Sequence, residues 1–304
     1  LYLSLPATSA NLGPAFDAAA LAMNLYIEIV ARASPTFKIA ASGRDKDVIE
    51  RVENHLILAT YREVLKDEGV DVTPLSLRIR NDIPIGKGCG SSAAARLAGI
   101  ALADHFGKLR WSDSQVIAEA SRREHHSDNV SACWMGGLTV ARMSGESGPQ
   151  VVRIKPKGKW PLLLALPDEA LATEQARRVL PTEYSRTDAV TNIQNSMILM
   201  AAFLQGRHDL LAPALEDRIH QPYRAELCPL LPCLQQLSGK QGVLGVALSG
   251  AGPSVVIFLD PKIPAQEIKK AVAAHLAISG LNAELIMTSI ALRGARTKKA
   301  ASRS

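Results

Sequence analysis

Asn81-Asp82-Ile83-Pro84-Ile85-Gly86-Lys87-Gly88-Cys89-Gly90-Ser91-Ser92 is the stretch on which the reading of this chain turns. Leu75–Ile79 before it alternates apolar and polar residues as a strand does, and Ala93–Phe106 after it is alanine-rich, the composition of a strong helix former. The pattern is strand, glycine loop, helix. Gly86, Gly88 and Gly90 permit positive φ and leave main-chain N–H groups open to a ligand without interference from a Cβ. Ser91 and Ser92 fall at the start of the helix, where unpaired N–H groups and the positive end of the helix dipole attract anions. A plain glycine turn capped by serine would read the same way, so the loop by itself is a candidate polyphosphate site and no more. It is not a Walker A loop, which ends in Gly-Lys-Ser/Thr; Lys87 lies inside the glycines and no lysine precedes Ser91.

Outward from the loop, strands and helices alternate in both directions. Leu1–Leu5 reads as a short strand running into a loop rich in turn formers, Pro6 to Pro14, and Asn24–Ala33 and Phe37–Ala41 read as strands. Asn54–Glu68 has helical spacing, with Gly69 as its C-cap. Downstream, a helix from Ser112 or Asp113 to about Arg123 delivers Glu124-His125-His126-Ser127-Asp128-Asn129, and strands follow at Leu138–Met143 and Val151–Ile154. Lys155-Pro156-Lys157-Gly158-Lys159 is the best boundary before the apolar strand Pro161–Leu166. Helical patterns occupy Thr173–Val179, Thr187–Gly206 and Arg207–Leu215. A strand pair, Gly245–Leu248 and Val255–Leu259, surrounds Ser249-Gly250-Ala251-Gly252-Pro253-Ser254, and a helix at Ala265–Ser279 and a strand at Ala283–Ala291 close the chain. The class is α+β with two domains, 1–158 and 159–297, and a basic tail, 298–304.

Composition narrows the function. Of 304 residues, 47% are apolar and 21% charged, the balance of a folded globular protein rather than a disordered one. The net charge of +6 owes much to Arg293, Arg296, Lys298, Lys299 and Arg303 near the end, and aromatics at 4% offer no stacking platform, so nucleic acid is not expected as a partner. Cys89, Cys133, Cys228 and Cys233 lack C-x-x-C spacing, which argues against structural zinc and disulfides and for a reducing cytoplasm. No apolar run reaches the roughly 18 to 20 residues that span a bilayer, so no membrane partner is expected either. Magnesium, the usual companion of a nucleoside triphosphate, takes hard oxygen ligands, and Glu124 is the candidate carboxylate. His125 and His126 are adjacent and lack H-E-x-x-H spacing, which excludes a catalytic zinc.

Pro6-Ala7-Thr8-Ser9-Ala10-Asn11-Leu12-Gly13-Pro14-Ala15-Phe16-Asp17, Pro84 to Ala95, and Leu248 to Ser254 together resemble, in order and spacing, the three signature motifs of the GHMP small-molecule kinases. Glu124 to Asn129, Ala176 to Pro181 and Asp217 to Arg224 resemble further landmarks of the branch of that family that phosphorylates homoserine. The resemblance implies an N-terminal domain like ribosomal protein S5 domain 2 and a ferredoxin-like C-terminal domain, with ATP between them, Mg²⁺ beside it and a step of threonine biosynthesis as the role. It implies nucleotide contacts from Asn54, near the adenine, and from Pro84, Ile85, Gly86, Lys87, Gly88, Cys89, Gly90, Ser91 and Ser92, and metal contacts from Ser92 and Glu124. Catalysis falls to Asn129, Ser92 and Glu124. A homoserine pocket needs an anion for the ammonium, assigned to Asp17, and planar cations for the carboxylate, assigned to Arg177 and Arg224; Asn11, His126 and Asn129 orient the rest. Asn129 accepts no proton, so positioning and charge stabilisation are expected instead of a general base, with Asp128 the residue to test otherwise. Arg178, Arg218 and His220 are read as structural, and Ser249–Ser254 as a support for the phosphate loop. Ala15, Ala20 and His125 stand where the family has Gly, and Ser127 where it has Pro. Another small hydroxy acid or alcohol as acceptor, and a non-catalytic ligand-binding member, are the alternatives; the oligomeric state stays open, a homodimer among the assemblies allowed.

Overall fold

The computed structural model describes residues 1–145 and 148–298. The chain opens with β1 (Tyr2–Ala10), β2 (Ala19–Ala33) and β3 (Lys38–Gly43), followed by α1 (Lys46–Ile49), α2 (Leu56–Asp67) and β4 (Leu75–Asn81). The glycine loop leads into α3 (Ser91–Gly107), then α4 (Asp113–Glu124), α5 (Asp128–Met135), β5 (Leu138–Arg142) and β6 (Gln150–Ile154). The second half contains β7 (Pro161–Leu166), α6 (Thr173–Arg178), α7 (Arg186–Gln205), α8 (Leu211–Ala214), α9 (Gln221–Arg224) and α10 (Leu230–Gln235). It ends with β8 (Val243–Leu248), β9 (Val255–Leu259), α11 (Ala265–Ile278), β10 (Glu284–Ser289) and β11 (Arg296–Lys298).

Seven strands make one sheet, ordered β11-β1-β2-β4-β3, with β5 paired to the start of β2 and β6 to β5. Only β3 and β4 run parallel, because α1 and α2 carry the chain across between them. In β4 the alternation holds: Leu75, Leu77 and Ile79 are buried while Arg78 and Arg80 point to solvent. The second sheet, β10-β7-β9-β8, is antiparallel throughout. It is apolar on both faces. Leu163 and Ala165 of β7 face the cluster around α10 and α11, whereas Leu162, Leu164 and Leu166 join the larger core shared with Phe203 of α7 and the first half. That double burial is why β7 reads as an unbroken apolar run.

Three expectations from the sequence are corrected. β1 does not stop at Leu5 but continues through Pro6 to Ala10, because the pairing with β2 shifts register between Pro6 and Ala7, where a residue without an N–H is tolerated. Helix α5 was not anticipated; its eight residues are too short for periodicity to stand out. Lys298, read as the first residue of the tail, lies with Arg296 on β11 against β1, so the chain returns to its first sheet. Lys299 and Arg303 fall outside the described residues.

Candidate active site

Gly86, Gly88 and Gly90 all have φ near +70° and turn the chain from β4 into α3, whose first turn is capped by no side chain. Its N–H groups are therefore available to an anion. The loop is held rigidly from outside. A Cβ on Gly88 would lie 2.1 Å from the Ser249 carbonyl oxygen, and one on Gly90 1.8 Å from Thr8 Oγ1. Thr8 N–H donates to Cys89 O (3.1 Å), Ser249 Oγ to Gly88 O (2.8 Å) and Leu171 N–H to Gly86 O (3.2 Å). Behind the loop lies an apolar cavity of about 480 Å³ lined by Ile27, Val48, Leu56 and Ile83, with Asn54, Ile85, Gly86, Ser91 and Ser92 at its edge. Three residues of the loop keep their side chains within the protein. Pro84 and Cys89 are buried, the Cys89 thiol pushed up to about 12 by burial, and Lys87 donates its ammonium to Pro167 O at 2.7 Å.

The end of α4 and the start of α5 supply the next group. Ser92 Oγ donates to Glu124 Oε1 (2.6 Å), which also accepts from Arg96 Nε (2.6 Å). His125 is the left-handed cap that ends α4, at φ +63°, and is exposed, which explains why glycine suits that position and removes His125 from the cleft. His126 turns inward, with Nδ1 2.8 Å from Asp128 Oδ1 and Nε2 3.9 Å from Glu124 Oε2. Burial alone would lower the His126 pKa, but the hydrogen bond and charge of Asp128, with Glu124 and Asp17 beyond it, outweigh that and hold it above the ordinary value. Asp128 is buried, and its Oδ1 also accepts the Asn129 N–H at 2.6 Å. Thr8 Oγ1 donates to Asn129 Oδ1 (2.6 Å), and Asn129 Nδ2 donates in turn to Asp128 Oδ1 (3.3 Å).

Facing this group is a cleft of about 140 Å³ that brings together Asn11, Asp17, Ser92, Glu124, His126, Asp128, Asn129, Arg177 and Arg224. Asn11 and Asp17 sit on a turn that holds both at positive φ; Asn11 Oδ1 accepts the Asp17 N–H and Asn11 Nδ2 donates to Gly250 O (2.7 Å). Arg177 forks onto Asp17 with two hydrogen bonds of 2.8 and 3.0 Å. Arg178, next to it, points away to Glu174 on the surface. Arg224 is buried, with Nε donating to Ala176 O (2.9 Å) and Nη1 3.2 Å from His220 Nδ1. Burial and the neighbouring Arg177 pull its pKa down to about 10, so it stays a cation at neutral pH. His220 is buried against Gly13 O and lowered to about 4 by that burial. Phe16 stacks on His220 and lies under both guanidiniums, 5.6 Å from Arg177 and 5.3 Å from Arg224.

Sequence reasoning missed Thr8, Phe16 and Arg96. Thr8 and Phe16 lie inside the first motif and Arg96 is one helical turn after Ser92, so spacing held the signal for each. The turn Ser249–Ser254 does more than support the phosphate loop, because Gly250 and Ala251 line the cleft themselves.

A cleft of this kind between an α+β half with a glycine loop and a second sheeted half defines a small-molecule kinase of the GHMP class: the models of the GHMP kinases N terminal domain and the GHMP kinases C terminal match residues 55–137 and 199–278. Homoserine kinase of Solibacter usitatus is 42% identical over 259 residues, 85% of each chain, and that of Desulfitobacterium hafniense is 34% identical over 96% of this chain and 97% of its own. The crystal structure of homoserine kinase from Cytophaga hutchinsonii superposes with a TM-score of 0.82 over 97% of this chain and 96% of that one, at 23% identity. The chain belongs to the GHMP kinase family and, within it, to the homoserine kinases.

Proposed function

We propose that this chain transfers the γ-phosphoryl group of ATP to the side-chain hydroxyl of L-homoserine, forming O-phospho-L-homoserine and ADP. The observation that carries the reading is the convergence, in a cleft of about 140 Å³, of an uncapped helix start on one side with Asp17, Arg177 and Arg224 on the other. The first is built for a polyphosphate and the second for a small zwitterion. Asp17 and Arg177 neutralise one another. An amino acid offers an ammonium to Asp17 and a carboxylate to Arg177 and Arg224, so it replaces one ion pair with two. A mevalonate-like acid offers only half of that exchange. The seven-stranded half fits an S5 domain 2-like fold, and the β10-β7-β9-β8 sheet with α10 and α11 a ferredoxin-like one.

Ser92 Oγ and the Glu124 carboxylate, hard oxygen donors 2.6 Å apart, would hold a magnesium ion. Among the described residues no group of three His, Cys, Asp or Glu would hold a metal alone. When bound, that ion neutralises charge on the phosphoryl oxygens. The chain's own residues do the remaining work. The α3 N–H groups hold the phosphates, and Asn129, fixed by Thr8, and His126, fixed by Asp128, orient the acceptor hydroxyl in line with the γ-phosphorus. The oxygen–phosphorus bond forms as the bond to the ADP oxygen breaks, and the hydroxyl proton leaves to a phosphoryl oxygen or water. Asp128 is engaged by His126 and Asn129, which supports positioning and charge stabilisation over a dedicated base. The test is ADP release from Mg-ATP with homoserine, serine, threonine and mevalonate in parallel. Turnover with homoserine at least tenfold above the others is expected; turnover with mevalonate alone overturns the acceptor, and turnover with none overturns the activity.

A further inference from the structure

Phe16 is an aromatic side chain that packs against cations rather than against the core. It is half-buried and belongs to none of the apolar clusters formed by the described residues. The His220 ring stacks on it, with centroids 5.1 Å apart and planes 27° from parallel, and the guanidinium carbons of Arg177 and Arg224 stand 5.6 and 5.3 Å from its centroid. His220 is itself fixed, its Nε2 2.8 Å from Gly13 O and its Nδ1 3.2 Å from Arg224 Nη1. Two guanidiniums that meet one acceptor carboxylate must lie close together, and like charges at that range repel. The chain offsets the repulsion unequally. Arg177 has the Asp17 carboxylate, whereas the partners of the buried Arg224 are Ala176 O, Gly250 O and His220 Nδ1, none of them an anion.

We infer that Phe16 is a positioning residue for the acceptor carboxylate: its ring face holds the Arg177 and Arg224 guanidiniums side by side against their mutual repulsion, so that one carboxylate meets both. The consequence for the acceptor rests on the function proposed above; the contact of ring and cations does not. An aromatic face is the negative end of the ring quadrupole and attracts a cation without forming an ion pair with it. This matters most when an acceptor ammonium takes Asp17, because Arg177 then gives up its own counter-ion while the ring stays beneath it. A leucine would fill the same space and offer no negative face. The carboxylate is remote from the hydroxyl that reacts, so the ring acts on ground state and transition state alike, and its loss should fall on KM rather than kcat.

Phe16→Leu is expected to raise the KM for homoserine about tenfold with kcat within about threefold, and to change kcat/KM for 3-aminopropan-1-ol, which lacks the carboxylate, by no more than about threefold. Phe16→Tyr, which keeps the face, is the conservative variant and should recover most of the loss. Difluoro- and pentafluorophenylalanine at position 16 keep the shape of the ring while draining its face, and the KM for homoserine should climb in that order. A ring with a merely structural role would cost both acceptors equally and would not respond to fluorination; either result overturns the inference. A double-mutant cycle of Phe16→Leu and Arg224→Met in urea unfolding needs no acceptor. Coupling of about fivefold in the unfolding constant is expected, and additive effects overturn the inference whatever the enzyme phosphorylates. A wild type that does not use homoserine would overturn the acceptor, and this coupling would still decide on the ring.

Discussion

The two sides of the cleft are made of different material. On the nucleotide side the ligand-facing groups are main-chain N–H groups of the glycine loop and α3, locked by close contact with Thr8, Ser249 and Leu171. On the acceptor side they are side chains, and the two most polar of them, Asp17 and Arg177, are bound to each other and about a third exposed. One side is rigid and indifferent to the rest of its ligand. In the proposed reaction the other exchanges partners to bind and is the side that reads identity. Rigid backbone suits the part of a reaction shared across a family, and exchangeable ion pairs suit the part that distinguishes one acceptor from another.

The largest effect should come from breaking the rigid side. Gly88→Ala puts a methyl 2.1 Å from a backbone oxygen at positive φ, and a loss of about 3 kcal/mol or more in denaturant unfolding is expected. Gly69→Ala, with the same φ sign but nothing within 4 Å, should lose only about 1 kcal/mol. Equal losses would show that φ, and not the contact with Ser249, sets the cost. On the acceptor side, Arg224→Lys keeps the charge but not the fork, and about a 100-fold drop in kcat/KM for the amino acid, with the KM for ATP nearly unchanged, is expected. A parallel rise in the KM for ATP would dissolve the distinction between the two sides.

Acid should weaken the acceptor side first. His220 is held neutral, with a folded pKa of about 4, and an unfolded histidine titrates near 6.5. Between those values the unfolded chain binds the extra proton, so stability is full above about pH 6.5 and falls as pH drops toward 4, on the order of 1 kcal/mol per unit. Denaturant midpoints at pH 7 and pH 5 should differ more in the wild type than in His220→Gln. The smallest effect is expected from Asp17→Asn, about a tenfold loss in kcat/KM for homoserine, because its carboxylate is partly solvated.

The same contrast governs what could be read from the sequence. The glycine loop and α3 were legible because positive φ and a helix start leave local signals, Gly86, Gly88, Gly90 and the serines after them. The pairs that fix the site were not. Thr8 with Asn129, 121 positions apart, and Arg177 with Asp17, 160 apart, are consequences of how the sheets stack, and no spacing rule anticipates them. Chosen residues also have neighbours that chemistry alone did not suggest: Arg177 rests on Asp17, and Lys87 serves a backbone carbonyl. The apolar strands β7 and β9 emerged at their expected limits, whereas the extensions of β1 and β2 and the short α5 and β11 depended on partners elsewhere in the chain.

The account stands on the acceptor side reading both charges of a zwitterion, and truncated acceptors measure that directly. Steady-state kcat/KM should be compared for homoserine, for 4-hydroxybutanoate, which lacks the ammonium, and for 3-aminopropan-1-ol, which lacks the carboxylate. 3-Aminopropan-1-ol should lose about 100-fold or more, since the buried Arg224 is left without its partner, and 4-hydroxybutanoate about tenfold, since Asp17 is partly solvated. In Asp17→Asn the penalty for 4-hydroxybutanoate should shrink. If the wild type used 4-hydroxybutanoate as well as homoserine, Asp17 would not be reading an ammonium and the proposed acceptor would be wrong.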